Sequence, residues 1–336
     1  MINMADYKVD KFLAEGLMGK VYLVSKNGNK YAMKIEYISS RKDVYLRNEL
    51  KFVKKVASKY PDQFIQLVHH EIIKECKEEY PVYPEWLDKK EKEYLVKLRS
   101  SGLCVRKIYS LIDTTLSNLD IGGLSLAKKY SLMIQLLYIN HLIESNGFVH
   151  GDFHRGNIGV LKVDRDKKIK IFGKEIPTFG YQCQAIDYGG ILHKGSISSS
   201  RNYQQHDRTE KQHYEEHIVV DKLIVINSMF KESDFWNFVR DNGIKMNGFE
   251  KDLALILSQP EIKLLEKISK NKYILFDLYK ILFTKKFQKL VLGDKFKDKI
   301  DLECLIPSED IIYAYSNFNN SKNLIKYFMA RLKNLE

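Results

Sequence analysis

Apolar positions alternate over short stretches early in this chain and recur at helical spacing later. Residues 12–13, 21–25 and 30–37 are short segments with β-branched and aromatic side chains, and Asn27-Gly28 between the last two is a strong two-residue hairpin signal. Three antiparallel strands are predicted there. Over residues 41–59 the apolar positions Val44, Leu46, Leu50, Val53, Val56 and Ala57 fall close to helical spacing, and the run ends before Pro61. Residues 64–73 and 103–113 predict two further strands. The stretch 81–101 between them is charged and predicts an insertion with a helix over 85–99. From Ser125 onward the pattern is mostly helical, with helices predicted over 126–145, 217–230, 234–240, 261–287 (with a break) and 309–335. Pro260 sits just inside one helix start, with Ser258 as its N-cap. The expected fold class is therefore α+β. A small β-rich lobe with one main helix occupies residues 1–113, and a larger, mostly helical lobe occupies 114–336.

Composition narrows the function classes. The 336 residues are 44% hydrophobic, ample for a packed core, and the formal charge of +12 would attract polyanions. Lysine is nevertheless spread along the whole chain, with no dense basic block and no recognisable nucleic-acid module, so no specific nucleic-acid partner is expected. Cys76, Cys104, Cys183 and Cys304 are far apart and form no C-x-x-C pair. They predict a reducing compartment, with neither a disulfide framework nor a zinc site. Residues 1–11 lack the apolar stretch a secretory signal requires, and the richest apolar runs are broken by Gln135, Asn140, Asp221 and Lys222. A soluble cytoplasmic protein without a membrane segment is expected. His206, His213 and His217 are explained as loop and helix-start residues rather than as metal ligands.

Chemistry concentrates in His150-Gly151-Asp152-Phe153-His154-Arg155-Gly156-Asn157, answered by Asp187-Tyr188-Gly189. Phosphoryl transfer from a nucleotide needs one carboxylate to orient the attacking hydroxyl, an Asn to hold a metal ion, and a second carboxylate to hold Mg²⁺ against the phosphates. Asp152 fits the first role, as general base or hydroxyl-orienting group. Asn157 and Asp187 fit the other two. A lone H-G-D tripeptide would equally fit an Asx turn; the specific signal is His150, Asp152 and Asn157 at fixed offsets.

Upstream, Glu15-Gly16-Leu17-Met18-Gly19-Lys20-Val21 lies between the first two predicted strands. Glycine there lets the backbone approach a triphosphate, and Val21 would cover an adenine ring. Tyr31-Ala32-Met33-Lys34 ends the third strand, where a Lys can reach the α- and β-phosphates. Such a Lys needs a carboxylate to hold it, and the candidate is Glu49, on the Leu50 and Val53 side of the helix.

Together these residues resemble the protein kinase superfamily over residues 7 to about 230. Ala14, Gly16, Gly19 and Val21 match the Gly-rich loop G-x-G-x-x-G-x-V, with Ala14 at the first Gly position. Ala32 and Lys34 match V-A-I-K, and Asp187-Tyr188-Gly189 matches D-F-G. Ala-Met-Lys-Ile-Glu looks like the casein kinase one and vaccinia-related branch, while H-G-D-x-H-x-G-N and a missing A-P-E look like serine/threonine kinases of large cytoplasmic DNA viruses. The resemblance implies a bilobal fold, ATP and Mg²⁺ as cofactors, and transfer to Ser or Thr hydroxyls of protein substrates in a host cytoplasm or virion. His154 occupies the place where protein kinases usually put a Lys that neutralises the γ-phosphate. Gly151 replaces the Arg of H-R-D, so activation by loop phosphorylation is not implied. Asp221 matches the helix carboxylate that braces the catalytic loop, and equally fits an ordinary Asp at a helix N-terminus. The interval from Asn157 to Asp187 is longer than usual, and residues 163–180 predict an extended hairpin with charged residues 164–168 at its tip. Two other readings stand beside the protein kinase. One is a small-molecule phosphotransferase of aminoglycoside or choline kinase type, favoured by the 81–101 insertion and the missing A-P-E; the other is a non-catalytic scaffold of the same fold.

Overall fold

The computed structural model describes residues 7–16, 19–41, 43–76, 89–194 and 321–335. Strands β1 (Lys8–Glu15), β2 (Gly19–Lys26) and β3 (Asn29–Tyr37) form an antiparallel meander. Asn27 and Gly28 both have positive φ, +50° and +78°, so the Asn-Gly pair closes the β2–β3 hairpin as its chemistry predicts. Helix α1 (Val44–Lys55) starts where the Asp43 carboxylate accepts hydrogen bonds from the Tyr45 and Leu46 amides at 3.0 and 3.2 Å. Lys54 and Lys55 lie at its C-terminal end, where the helix dipole favours cations. Strand β4 (Leu67–Lys74) follows, then helix α2 (Lys89–Ser100) and strand β5 (Leu103–Tyr109). The sheet order is β1-β2-β3-β5-β4, so the chain leaves the edge through the insertion and returns between β3 and β4.

Alternation along the strands gives this sheet two dissimilar faces. Met33, Ile35, Tyr37, Cys104 and Ile108 pack on one face, against Leu98 of α2. Ile38, Val105 and Leu46 of α1 cluster on the other, alongside the charged side chains of the candidate site. Of the helix expected over 85–99, Lys89–Ser100 is helical among the described residues, and residues 77–88 lie outside them.

Cys76 and Cys104 form a disulfide, with Cα atoms 5.6 Å apart, which corrects the expectation that no cysteines pair. Their separation of 28 positions hides a short path in space. Cys76 lies two positions beyond the end of β4, Lys74 of β4 is paired with Leu103 of β5, and the Cys76 amide donates to the Gly102 carbonyl at 2.9 Å. The loop that separates the two sulfurs in sequence is the α2 insertion, whose ends meet at adjacent strands. Among the described cysteines only Cys183 is free, and it is buried.

The second lobe is built around helix α3 (Leu126–Ser145), which has the bounds its periodicity predicts. Residues Tyr130–Asn140 of α3 are all buried, so the helix is apolar all round and forms the centre of the core. Around it lie β6 (Thr114–Thr115), β7 (Phe148–Val149), β8 (Ile158–Lys162), β9 (Lys168–Ile171), β10 (Lys174–Pro177), β11 (Tyr181–Ala185) and β12 (Leu192–His193). The described part of this lobe thus carries more strand than the sequence pattern predicts. Helix α4 (Ser321–Lys333) closes the core through Leu324, Ile325, Phe328 and Leu332, with Phe328 against Tyr130 of α3 at 6.1 Å between ring centroids. It falls within the helix expected over 309–335. The helices expected over 217–230, 234–240 and 261–287, together with Asp221, His206, His213 and His217, lie outside the described residues.

The hairpin expected over 163–180 is present as β9 and β10, but the charged residues 164–168 are not its tip. Strand β8 pairs with β11, whereas β9 and β10 form a separate two-stranded sheet that turns at Phe172-Gly173, with φ of +50° and +78°. Phe172 takes this strained turn position because its ring packs on Tyr138 and His141 of α3, with centroids 5.2 and 5.0 Å away. The charged residues instead form a turn before β9, closed by the Lys167 amide on the Asp164 carbonyl at 2.9 Å. The architecture as a whole is the expected α+β arrangement, an antiparallel sheet with one main helix followed by a lobe centred on α3. Among the described residues no helix is long and apolar enough to cross a membrane.

Candidate active site

One cross-strand row organises the first half of the site. Ala14, Val21, Lys34, Lys107 and His70 are successive register partners across β1, β2, β3, β5 and β4, so all five project from one face. Three of the residues expected to hold a nucleotide, Ala14, Val21 and Lys34, therefore stand side by side. Ala32 and Glu36 flank Lys34 on the same face, two positions away in either direction. Gly16 and Gly19 close the turn between β1 and β2, with the Gly16 amide on the Gly19 carbonyl at 2.9 Å. Gly19 pairs with Glu36, and a Cβ on it would lie 2.5 Å from the Ile35 carbonyl oxygen. Only glycine lets the turn settle so closely on β3.

The second half is brought in by the segment after β11. The Asp187 carboxylate reaches Lys34, with Oδ1 2.5 Å from Nζ. Lys34 also meets Glu36 Oε2 at 2.9 Å. Burial alone would push the Lys34 ammonium down, but the carboxylates of Asp187 and Glu36 outweigh it and hold its pKa well above the ordinary lysine value. Burial likewise opposes ionisation of Asp187, and Lys34 reverses that, holding Asp187 below the usual carboxylate range. Each keeps the other charged.

Asp187 adopts left-handed backbone geometry, with φ of +56° and ψ of 77°, and its Oδ1 accepts from the Gly189 amide at 3.3 Å. Asn and Asp tolerate this region better than most residues, and here it lies at the predicted metal-binding position. The fully buried Tyr188 fixes the turn. Its hydroxyl donates to the Ile65 and Ala185 carbonyls at 3.0 and 2.9 Å, and its ring lies 4.9 Å from that of Phe52 on α1.

The catalytic segment is tied to this turn by its backbone. The Ile186 amide donates to the Asn157 carbonyl at 3.0 Å, and His150 Nε2 lies 3.1 Å from the Ile186 carbonyl. Asn157 Nδ2 donates to both the backbone oxygen and Oδ2 of Asp152, at 2.8 and 3.0 Å. Its amide nitrogen is thereby committed, and its Oδ1 is the atom suited to a cation. His154 Nδ1 accepts from the Gly156 amide at 3.0 Å, so the neutral ring carries its proton on Nε2, which faces Asp152 Oδ1 at 3.6 Å. Burial tends to raise the Asp152 carboxyl, but His154 prevails and holds it below the usual range. Asp152 is ionised at neutral pH, as a hydroxyl-orienting base must be.

Glu49 is not placed as the sequence predicts. Both of its oxygens face Lys107, at 2.8 and 3.0 Å, and Oε1 also accepts from the Tyr109 hydroxyl. Lys34 is held by Glu36 and Asp187 instead. Sequence reasoning missed Glu36, Lys107 and Tyr109. The available signal was alternation on β5, where Lys107 interrupts a face otherwise made of Leu103, Val105 and Tyr109.

The donor set suits a divalent cation held by oxygen. Lys34 and Lys107 face three carboxylates, those of Glu36, Glu49 and Asp187, which leaves a surplus negative charge in a largely buried cluster. The Asp187 side chain is 38% exposed, and that of Asp152 is 47% exposed, so the acidic groups open outward while the lysines lie deeper. Among the described residues no three His, Cys, Asp or Glu side chains form a metal cluster, so Asn157 and Asp187 would share any ion with its other ligands.

No protein-family model and no curated protein matches the chain. Among solved structures it is similar to the kinase domain of PF14_0431, at 16% identity over 59% of this chain and 55% of that one, with a TM-score of 0.38. It is also similar to vaccinia related kinase 3, at 14% identity over 57% of this chain and 51% of that one, with a TM-score of 0.36. The chain spans about half the length of each.

Proposed function

We propose that this chain is an ATP-dependent protein kinase that transfers the γ-phosphoryl group to Ser or Thr hydroxyls of protein substrates. The observation that carries the reading is the meeting of Lys34 and Asp187, 153 positions apart in sequence, at 2.5 Å beside a hydrogen-bonded Asp152–Asn157 pair. In this reading Lys34 binds the α- and β-phosphates, with Ala14, Gly16, Gly19, Val21 and Ala32 lining the nucleotide. Asp187 and Asn157 hold Mg²⁺, which when bound neutralises charge developing on the phosphates. Asp152 orients the acceptor hydroxyl and takes its proton as the new oxygen–phosphorus bond forms and the bond to the β-phosphate oxygen breaks, releasing ADP. His154 keeps Asp152 ionised and turned toward the acceptor. Positioning and charge complementarity supply most of the rate.

The insertion no longer favours a small-molecule acceptor, because α2 packs on the face of the sheet opposite Lys34. The acceptor is tested directly with Mg²⁺ and γ-labelled ATP, offered with acidic and basic proteins and with a pool of small hydroxyl and amino compounds. Label on protein Ser or Thr that disappears in Asp187→Asn and Asp152→Asn supports the protein kinase. Label only on a small molecule replaces it with the smaller acceptor class, and no label from any acceptor leaves the scaffold.

A further inference from the structure

Lys34 and Lys107 are directly opposed on neighbouring antiparallel strands and project from the same face. Like charges in that relation repel, so something must separate them. The Glu36 carboxylate does so, with Oε2 2.9 Å from Lys34 and Oε1 2.9 Å from Lys107. Glu36 is 2% exposed, Glu49 is 1% exposed and Lys107 is fully buried, so none of these charges can fall back on water. A buried charge that loses its partner is strongly destabilised, which makes the order of contacts a constraint on geometry. That order runs Asp187, Lys34, Glu36, Lys107, Glu49, Tyr109.

We infer that Glu36, rather than Glu49, is the carboxylate that positions Lys34 for the nucleotide, while Lys107 answers the buried charges of Glu36 and of Glu49 on α1. The inference rests on the phosphotransferase reading of the site. It moves to Glu36 the job that the sequence assigned to Glu49. Glu36 shares a strand with Lys34 and is pinned beneath Gly19, whose position leaves no room for a side chain. It therefore holds the ammonium independently of where α1 stands. Glu49 acts on Lys34 only through Lys107, so displacement of α1 would be felt first as loss of a partner for Lys107.

The test compares wild type with Glu36→Gln, Lys34→Met, the double variant Glu36→Gln/Lys34→Met, and the charge-balanced pair Lys107→Met/Glu49→Gln. The last removes one charge of each sign and so remains informative where a lone Lys107 replacement fails to fold. Three quantities are read: binding of a fluorescent ATP analogue with Mg²⁺, KM for ATP against kcat for phosphate transfer, and the urea midpoint. Glu36→Gln should weaken nucleotide binding and raise KM by about tenfold or more, with no further loss when Lys34 is already Met. The Lys107→Met/Glu49→Gln pair should bind nucleotide within about threefold of wild type, because Glu36 and Asp187 still hold Lys34. Glu36→Gln lowers the urea midpoint in either case, because Lys107 loses a partner; a merely structural Glu36 would add its binding loss in full to that of Lys34→Met, which overturns the inference. So would a Glu36→Gln protein that matches wild type while the Lys107→Met/Glu49→Gln pair loses affinity. A wild-type chain that neither binds nor transfers would remove the phosphotransferase reading, and this inference with it.

Discussion

Gly151 and Gly190 cross backbone to backbone, so closely that a Cβ on Gly151 would lie 2.5 Å from the Gly190 carbonyl oxygen. Gly151 also has a φ of +77°, which disfavours any other residue. This is where the catalytic segment passes the turn that carries Asp187, and it accounts for glycine in H-G-D where related motifs carry Arg. Gly151→Ala should cost roughly 2–4 kcal/mol, because the clash is with backbone that cannot rotate away. Gly173, at φ +78° with nothing within 4 Å of its Cβ position, is the control. Gly173→Ala should cost only about 1 kcal/mol. Equal losses in urea denaturation would show that the crossing is looser than described.

The Cys76–Cys104 bond closes a loop of 28 positions across neighbouring strands. By chain entropy such a bond contributes about 3–4 kcal/mol. Reduction, or replacement of both cysteines by Ser, should lower the melting temperature by several degrees. Transfer activity at a temperature where the protein stays folded should persist, because the bond lies on the sheet face opposite Lys34. Thiol titration in denaturant, with and without prior reduction, checks the bond itself. A reduced protein with unchanged melting behaviour would show that the strand pairing already fixes both ends of the insertion.

Local chemistry made much of the fold legible. The Asn27-Gly28 hairpin and helix α3 are each set by residues within a few positions, and they stand where the pattern predicts. Motif spacing also picked out residues 150–157 and the Asp187 turn, which the fold brings together. What stayed hidden depends on partners far apart in sequence. Nothing near Cys76 signals Cys104, because their proximity comes from strand order. Phe172 turns a hairpin only because α3 offers its ring a place to pack. Glu49 has the right helix face for Lys34, yet its geometry is decided by Lys107, a residue whose relevance emerges only when β5 inserts beside β3. Buried charge networks are solved jointly, and a motif read one residue at a time cannot assign their pairs.

Tyr188 anchors the Asp187 turn through its hydroxyl, which is shared between the carbonyls of Ile65 before β4 and Ala185 at the end of β11. Tyr188→Phe keeps the ring against Phe52 but leaves the Ile65 carbonyl short of a donor, while the Ala185 carbonyl keeps the Ile65 amide at 3.1 Å, a loss of about 1–2 kcal/mol. Tyr188→Ala should cost about 3–5 kcal/mol, because it empties a packed aromatic site. The Phe variant should also lose transfer rate while keeping its fold, since the adjacent Asp187 is freed from its anchor. Urea midpoints and kcat for the three proteins check this; a Phe variant indistinguishable from wild type in both would mean that packing alone sets the turn.

Stability should fall on the acid side in two stages, and His150 should set the first. Its imidazole is fully buried, and burial holds it below the ordinary histidine value; Asp152 and Asp187 pull upward without overcoming this, and His154 adds to the lowering. A histidine that accepts a proton less readily when folded favours the folded state while neutral. That contribution is complete above about pH 6.5, and it is lost as the unfolded chain begins to bind the proton that the folded chain refuses. His70 and His193 are lowered in the same direction but are more exposed, so solvent screens their share. Asp152 and Asp187 are also lowered, and their contribution persists down to about pH 4 before it is lost. Lys34 is raised, so its share is complete up to about pH 10 and disappears only at higher pH. Urea midpoints should therefore be level between about pH 7 and 8, decline between about pH 6.5 and 5, and fall again near pH 4; above about pH 9 they should also decline, because burial pushes the Cys183 thiol up to about 12 and only the unfolded chain gives up that proton. In His150→Gln, which keeps a donor for the Ile186 carbonyl, the decline from pH 6.5 to 5 should be smaller while the fall near pH 4 remains. Parallel profiles for the two proteins would mean that the first decline belongs to other groups.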